Sequence, residues 1–291
     1  MQSTASVVIK TATETALCTR STFAIVKCVN QFNSMEIVHK GCSVLSKVAS
    51  LYIGFGDEYR EISSKDGEEK QKLDREYSRI ADEGGVDVVL KAMKSDPNSV
   101  SLFIDCCSFL AYIARAKINH LKVKNLNLFS IIANIMELHL ASASAQSIGC
   151  RALCNLSSSP TLLNDVGAPS ALTSILVAMR HHPADPDVQA LGCDAVCNFC
   201  FRDELHETAL ARNAVCLVVG AMGRHLQTAR VQISGSCALH NLSDGAGHWR
   251  VRGEGGVAAA RAALAAHPDD GQVQRDVRDL LAILAADPGG A

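Results

Sequence analysis

The chain has 291 residues, long enough for two compact domains or one elongated one. Its residues are 48% hydrophobic but only 4% aromatic, so the apolar volume comes from Ala, Val, Leu, Ile and Cys, which argues against a β-sandwich or barrel. A net charge of −2 and a pI near 6.5 exclude a dominant electrostatic footprint for nucleic acid or an anionic membrane, and no apolar run is long enough to span a bilayer.

In chain order, residues 1–9 read as a flexible start. The opening MQSTASVVIKTATETALCTR lacks the basic beginning and long apolar centre of a secretory signal. Without an export signal, the 12 cysteines read as reduced thiols of an intracellular protein. A first unit covers 10–52. The stretch 53–76 is densely charged, has no apolar periodicity and reads as a solvated inserted loop, a candidate second contact or regulatory element. Further units follow at 77–119, 120–162, 163–205, 206–248 and 249–291. The last ends close to a unit boundary, so the array is expected to be complete on that side.

These boundaries come from internal self-similarity. QSIGCRALCNLS (146–157), QALGCDAVCNFC (189–200) and QISGSCALHNLS (232–243) align without gaps. Gly149, Gly192 and Gly235 are spaced by 43 residues, as are Asn155, Asn198 and Asn241, and the same step links Met93, Met136, Met179 and Met222. One period back, IDCCSFLAYIA (104–114) puts Cys106 at the Gly position and Tyr112 at the Asn position. Forward, VQRDVRDLLAIL (273–284) matches after a one-residue deletion. EGGV recurs at 83–86 and 254–257, and NSMEIVHKGCSVLSKVA (33–49) repeats NSVSLFIDCCSFLAYIA (98–114) at an offset of 65, which leaves an insertion of about 22 residues.

Apolar residues at i, i+3, i+4 and i+7 mark helices, and Pro183–Asp185, His267–Pro268 and Asn98–Ser99 mark the junctions between them. A helical Gly costs about 1 kcal/mol relative to Ala, so three at one repeat position imply close approach of a neighbouring helix. Small residues one place on (Cys42, Cys107, Cys150, Cys193, Ser236) fit the same tight contact.

GCRALCNLS, GCDAVCNFC and GSCALHNLS resemble the third helix of the armadillo-repeat family, and the EGGV segments resemble the start of its units. The resemblance covers nearly the whole chain outside 1–9 and 53–76. It implies an all-α, right-handed solenoid of about six repeats of roughly 43 residues. It further implies a concave groove lined by third helices, where Asn155, Asn198 and Asn241 would bracket the main chain of an extended peptide. The same face would hold Arg151, Asp194 and Cys237, with Ser108 and Tyr112 in the preceding unit. Importin-alpha-like members carry Trp where this chain has Arg151, Asp194 and Cys237. Trp249, the only Trp, lies outside that register. The Asn ladder has a second reading, in which each amide fixes one repeat against the next.

The expectation is a non-catalytic, cytoplasmic or nuclear interaction scaffold, with a protein or extended peptide as partner and no cofactor, metal, nucleic acid or membrane. An architectural subunit of a ciliary or cytoskeletal assembly, or a nuclear transport adaptor, are the alternatives. Cys193, Cys197 and Cys200 have the spacing of radical S-adenosylmethionine enzymes, but Cys193 and Cys197 recur as Cys150 and Cys154, which marks them as repeat positions. Cys150/Cys154 and Cys193/Cys197 could share a zinc, yet lack the usual ligand spacing. His181 and His182 read as solvated turn residues, and Trp249 with Arg250 and Arg252 as a junction or a small contact patch. No phosphate loop, GxSxG, HExxH or paired-carboxylate motif is present.

Overall fold

The computed structural model describes residues 4–19, 21–32, 34–51, 67–116 and 119–286. Among these the chain is all-helical, without strands, and its packing is compatible with a helical solenoid. It divides into two units, Met1–Leu126 and Asn127–Ala291.

The first unit holds α1 (Thr4–Thr19), α2 (Phe23–Phe32), α3 (Met35–Ser50), α4 (Gly67–Asp82), α5 (Gly85–Ser95), α6 (Val100–Arg115) and α7 (His120–Val123). Two expectations are corrected here. Residues 4–9 open α1 rather than forming a loose end, and residues 67–76 of the expected loop 53–76 are the first turns of α4; 53–66 lie outside the described residues. The charge of α4 hid its helical pattern, which rests on buried Tyr77 and Ile80. The Tyr77 hydroxyl donates to the Ala49 carbonyl, and its ring stacks on Tyr112.

The two long helices α3 and α6 pack on each other, and α1, α2, α4 and α5 pack around them. At Gly41 a Cβ would lie 2.4 Å from Val29 Cγ2, so the glycine is what lets α2 sit on α3. Glu83, just after α4, caps the start of α2. Its carboxylate accepts from the Thr22 N–H and hydroxyl at 2.6 Å each and from Ser21 at 3.1 Å, while Arg79 pairs with it at 2.9 Å. Burial alone would raise the Glu83 pKa. The hydrogen bonds from Thr22 and Ser21 and the Arg79 charge outweigh it and hold the carboxyl below its ordinary value.

The second unit holds α8 (Leu128–Leu138), α9 (Ala143–Ser157), α10 (Ala168–His181), α11 (Pro186–Phe199), α12 (Asp203–Ala211), α13 (Ala214–Arg224), α14 (Ala229–Leu242), α15 (Gly247–Gly253), α16 (Gly256–Ala266) and α17 (Gly271–Ala285). They form two layers. The long helices α9, α11, α14 and α17 pack each on the next, and α8, α10, α13 and α16 do the same behind them. Pro186 at the start of α11 needs no N–H partner, and Ser142, Asp185 and Asp270 cap α9, α11 and α17 through their side chains.

The repeated glycines explain how the layers meet. A Cβ at Gly149, Gly192 or Gly235 would stand 2.7, 2.5 or 2.5 Å from Cγ of Met136, Met179 or Met222. Each Met of the rear layer therefore fills the space its Gly leaves on the long helix. The EGGV motif has a different cause. Gly84 and Gly255 precede α5 and α16 with φ of 88° and 96°, and Asn127 and Asn213 take the same left-handed region before α8 and α13.

Sequence reading missed the strongest repeated bond. Gln146, Gln189 and Gln232, the first residue of each aligned segment, bury their amides under the end of the rear helix. Gln146 Nε2 donates to the carbonyls of Met136 (2.9 Å) and His139 (3.0 Å). Gln189 does so to Met179 (2.8 Å) and His182 (2.9 Å), and Gln232 to Met222 (3.0 Å) and His225 (2.9 Å). Gln274 repeats it with Leu264 and His267. The first of each pair lies in the last turn of the rear helix, where carbonyls run short of intrahelical partners; the His carbonyls also accept from the N–H groups of Ser142, Asp185, Thr228 and Asp270.

The histidines complete the join. Nε2 of His182, His225 and His267 lies 2.6, 2.9 and 2.8 Å from the carbonyls of Leu140, Pro183 and Leu226. A carbonyl only accepts, so each Nε2 carries the proton. His182 is thus a strut between successive turns and not the solvated residue expected, whereas His181 is exposed.

Gly192→Ala is expected to lower the unfolding free energy by about 1–3 kcal/mol despite its better helix propensity, and Met179→Ala in the same chain to recover part of that loss. A urea-denaturation double-mutant cycle checks both. For Glu83, whose folded pKa is depressed, the stabilisation is present above the pKa of the unfolded chain and fades as pH falls through the folded value. Glu83→Gln should therefore flatten the acid limb of the stability–pH curve between neutrality and pH about 3, read by thermal unfolding.

Candidate functional site

Of the expected groove residues, Arg151, Asn155, Asp194, Asn198, Cys237 and Asn241 all lie in the second unit, on three consecutive long helices. Arg151 and Asn155 stand on α9, Asp194 and Asn198 on α11, and Cys237 and Asn241 on α14. Ser108 and Tyr112 belong to α6 in the first unit, and both have local roles. The Ser108 hydroxyl donates to the Ile104 carbonyl one turn back, and Tyr112 stacks on Tyr77 with ring centroids 6.5 Å apart.

The asparagines are half-buried. Asn198 Nδ2 donates to the Cys154 carbonyl at 2.9 Å and approaches its Sγ at 3.6 Å; Asn241 Nδ2 repeats this with Cys197 at 2.9 and 3.1 Å. The donor and acceptor sit 44 residues apart in each case, so these amides tie each long helix to the one before it. One N–H of each is thereby committed to the protein itself. Asn241 Oδ1 lies 3.1 Å from His240 Nδ1.

The charges of this face are unevenly paired. Asp194 Oδ2 lies 3.4 Å from Nη2 of Arg230, which reaches across from α14. Arg151 is exposed and makes no ion pair. Arg230 had no place in the sequence reading because the aligned segments begin two residues after it.

Four thiols in this region are held protonated. Burial pushes Cys150 and Cys200 up to about 12 and raises Cys154 and Cys193 well above the ordinary thiol value, with the Asp194 charge adding to the last two. Nucleophilic and metal-binding chemistry both need the thiolate, so burial works against each. Cys193 and Cys197 lie within α11 and Cys200 is its C-cap, so the three-cysteine spacing describes one helix and its end. Among the described residues no three His, Cys, Asp or Glu side chains are arranged to hold a metal ion.

The basic–aromatic junction is largely spent on structure. Arg250 donates to the Leu210 carbonyl at 2.6 Å, and Arg252 donates to the Leu284 carbonyl and lies over the Trp249 ring. Trp249 itself is 60% exposed. In the first unit a cavity of about 480 Å³ is lined by Phe23, Arg75, Ser78, Arg79, Asp82 and Glu83; its charges balance. No described helix is long and apolar enough to cross a membrane.

No family model matches the chain, and no curated protein matches it. Among solved structures it is similar to an engineered protein, a Northeast Structural Genomics Consortium target, at a TM-score of 0.70 and 19% identity. That alignment covers 91% of this chain and 96% of the other. At such identity the likeness concerns the fold alone.

Asn198→Ala and Asn241→Ala are each expected to lower stability by about 0.5–1.5 kcal/mol, because each removes a hydrogen bond between successive long helices. Equilibrium urea unfolding measures it, and a variant as stable as the wild type would return the amides to a purely ligand-facing role.

Proposed function

We propose that the chain is a non-catalytic interaction scaffold built as a right-handed solenoid of six armadillo-type repeats. A protein partner, or an extended segment of one, lies along the face of α9, α11 and α14. The observation that supports this is the repetition of side chains reaching the surface at two fixed positions on those helices, exposed Arg151 with half-buried Asp194 and Cys237, and half-buried Asn155, Asn198 and Asn241 one turn on. Helices locked at constant spacing by the glutamine and asparagine bonds offer a face that needs little reordering on binding, which favours affinity. A carboxamide offers donor and acceptor together, which suits a main-chain ligand, whose peptide groups recur regardless of side chain. The absence of Trp at the Arg151, Asp194 and Cys237 positions argues against a nuclear transport adaptor. A cytoplasmic or nuclear setting suits an array of protonated thiols.

The reading as a subunit of a larger assembly draws on a separate observation. Val166, Phe201 and Trp249 are 87%, 69% and 60% exposed at junctions off these two rows. A permanent neighbour would cover them.

The test is selection from a random peptide library displayed on phage, followed by anisotropy titration of the enriched peptides. Cys237→Trp, which fills the centre of the face, should weaken binding at least tenfold. Arg224→Glu, at the exposed end of α13 in the rear layer, should leave it unchanged. Equal effects of the two variants would remove the long-helix face as the binding surface.

A further inference from the structure

The glutamine bonds set one common register for the long helices, because Gln146, Gln189, Gln232 and Gln274 occupy equivalent places. Counting five residues on gives Arg151, Asp194, Cys237 and Asp279. At about 100° per residue this row lies roughly 200° around the helix from the glycines that pack on the rear layer, and so on the open side. Arg230, two residues before its clamp, lies about 220° around, on the same side.

Charge along this side is ordered. In the middle, Asp194 and Arg230 pair at 3.4 Å and neutralise each other. At one end Arg151 is exposed and without an ion pair; at the other, Asp279 is exposed and likewise unpaired. Asp187 and Asp276 add acid on the α11 and α17 parts of the face. Arg275, one turn before Asp279, lies about 40° from it on the same side, so this end of the face carries two acids and one base, and Arg278 stands on the other flank of α17. That flank corresponds to Cys154 on α9 and Cys197 on α11, which receive the next helix. Arg278 is also bonded to Gln274 Oε1.

We propose that the face reads charge order in its ligand: an extended peptide with an acidic side chain seated at Arg151 and a basic one at Asp279. The inference rests on the peptide-binding reading above and specifies the partner's chemistry. Three helix-to-helix steps of about 8–10 Å separate the two anchors, or about 24–30 Å. An extended chain advances about 3.3 Å per residue, so the acidic and basic residues stand about seven to nine positions apart. The Asp194–Arg230 pair contributes no charge preference, and the exposed Asp187 on α11 disfavours only an acidic ligand residue opposite it.

The experiment pans a random 16-residue phage library on the immobilised full chain and on Arg151→Glu, Asp279→Lys and the double variant. The wild type should enrich peptides that carry an acid and a base at this separation in one fixed N-to-C order. The double variant should enrich the opposite order. Each single reversal should weaken a wild-type-selected peptide about two- to fivefold in anisotropy titrations, the effect of one exposed ion pair. Both residues are exposed and unpaired, so unchanged thermal midpoints confirm that the variants fold. Enriched peptides without charge order, or with the same order on the double variant, would overturn the proposal while leaving peptide binding intact. No enrichment on any of the four proteins would remove the peptide-binding reading and the charge order with it.

Discussion

A single amide carries most of the architecture of the second unit. Where α8, α10, α13 and α16 end, their last carbonyls face protein rather than water, and a buried unpaired carbonyl costs about 1–3 kcal/mol. One glutamine from the following long helix donates to one of them and to the next His carbonyl, which a turn N–H also holds. The same bond fixes the angle between the two helices and the height of one against the other. The glycine three residues on then falls opposite the methionine, and the asparagine nine residues on reaches the helix before. Gly192, Met179 and Asn198 are consequences of where Gln189 is held.

The candidate face is built from what this scheme leaves over. Positions pointing at the rear layer are apolar or glycine, and positions between long helices carry cysteine, alanine and the asparagine amide. Only the open side is free to vary, and there the equivalent residues are Arg151, Asp194, Cys237 and Asp279, with no common chemistry. Variation at fixed geometry is what a recognition surface needs, since the backbone of each helix presents the side chain at the same height whatever it is.

Much of this was legible in the sequence and part was not. The helical class and the 43-residue period follow from apolar spacing and from the Gly, Asn and Met repeats, and the glycines correctly implied a close helix contact. The glutamines stood at the head of each aligned segment, yet an isolated Gln carries no propensity signal that marks it as buried. Only its recurrence ten residues after Met136, Met179 and Met222 could have given it away. α4 escaped because GEEKQKLDREYSRIAD hides two buried residues among charges. The pairing of Asp194 with Arg230 needed coordinates, because Arg230 has Asp187 and Ser144 at the equivalent positions and so belongs to no repeat pattern.

The distribution of length changes along the chain has a practical side. The step from rear-helix carbonyl to clamping glutamine is ten residues in all four bonds, even across the one-residue deletion. The irregularity falls elsewhere: α7 has 4 residues, α12 has 9, α15 has 7, and turns replace a helix at 160–166. The stretch leading into each rear helix is thus a splice zone. Cassettes running from a left-handed Asn127 or Asn213 to the end of the next long helix could be duplicated, deleted or exchanged there. Each would bring its own fastening, so the number of stacked helix pairs becomes an editable length.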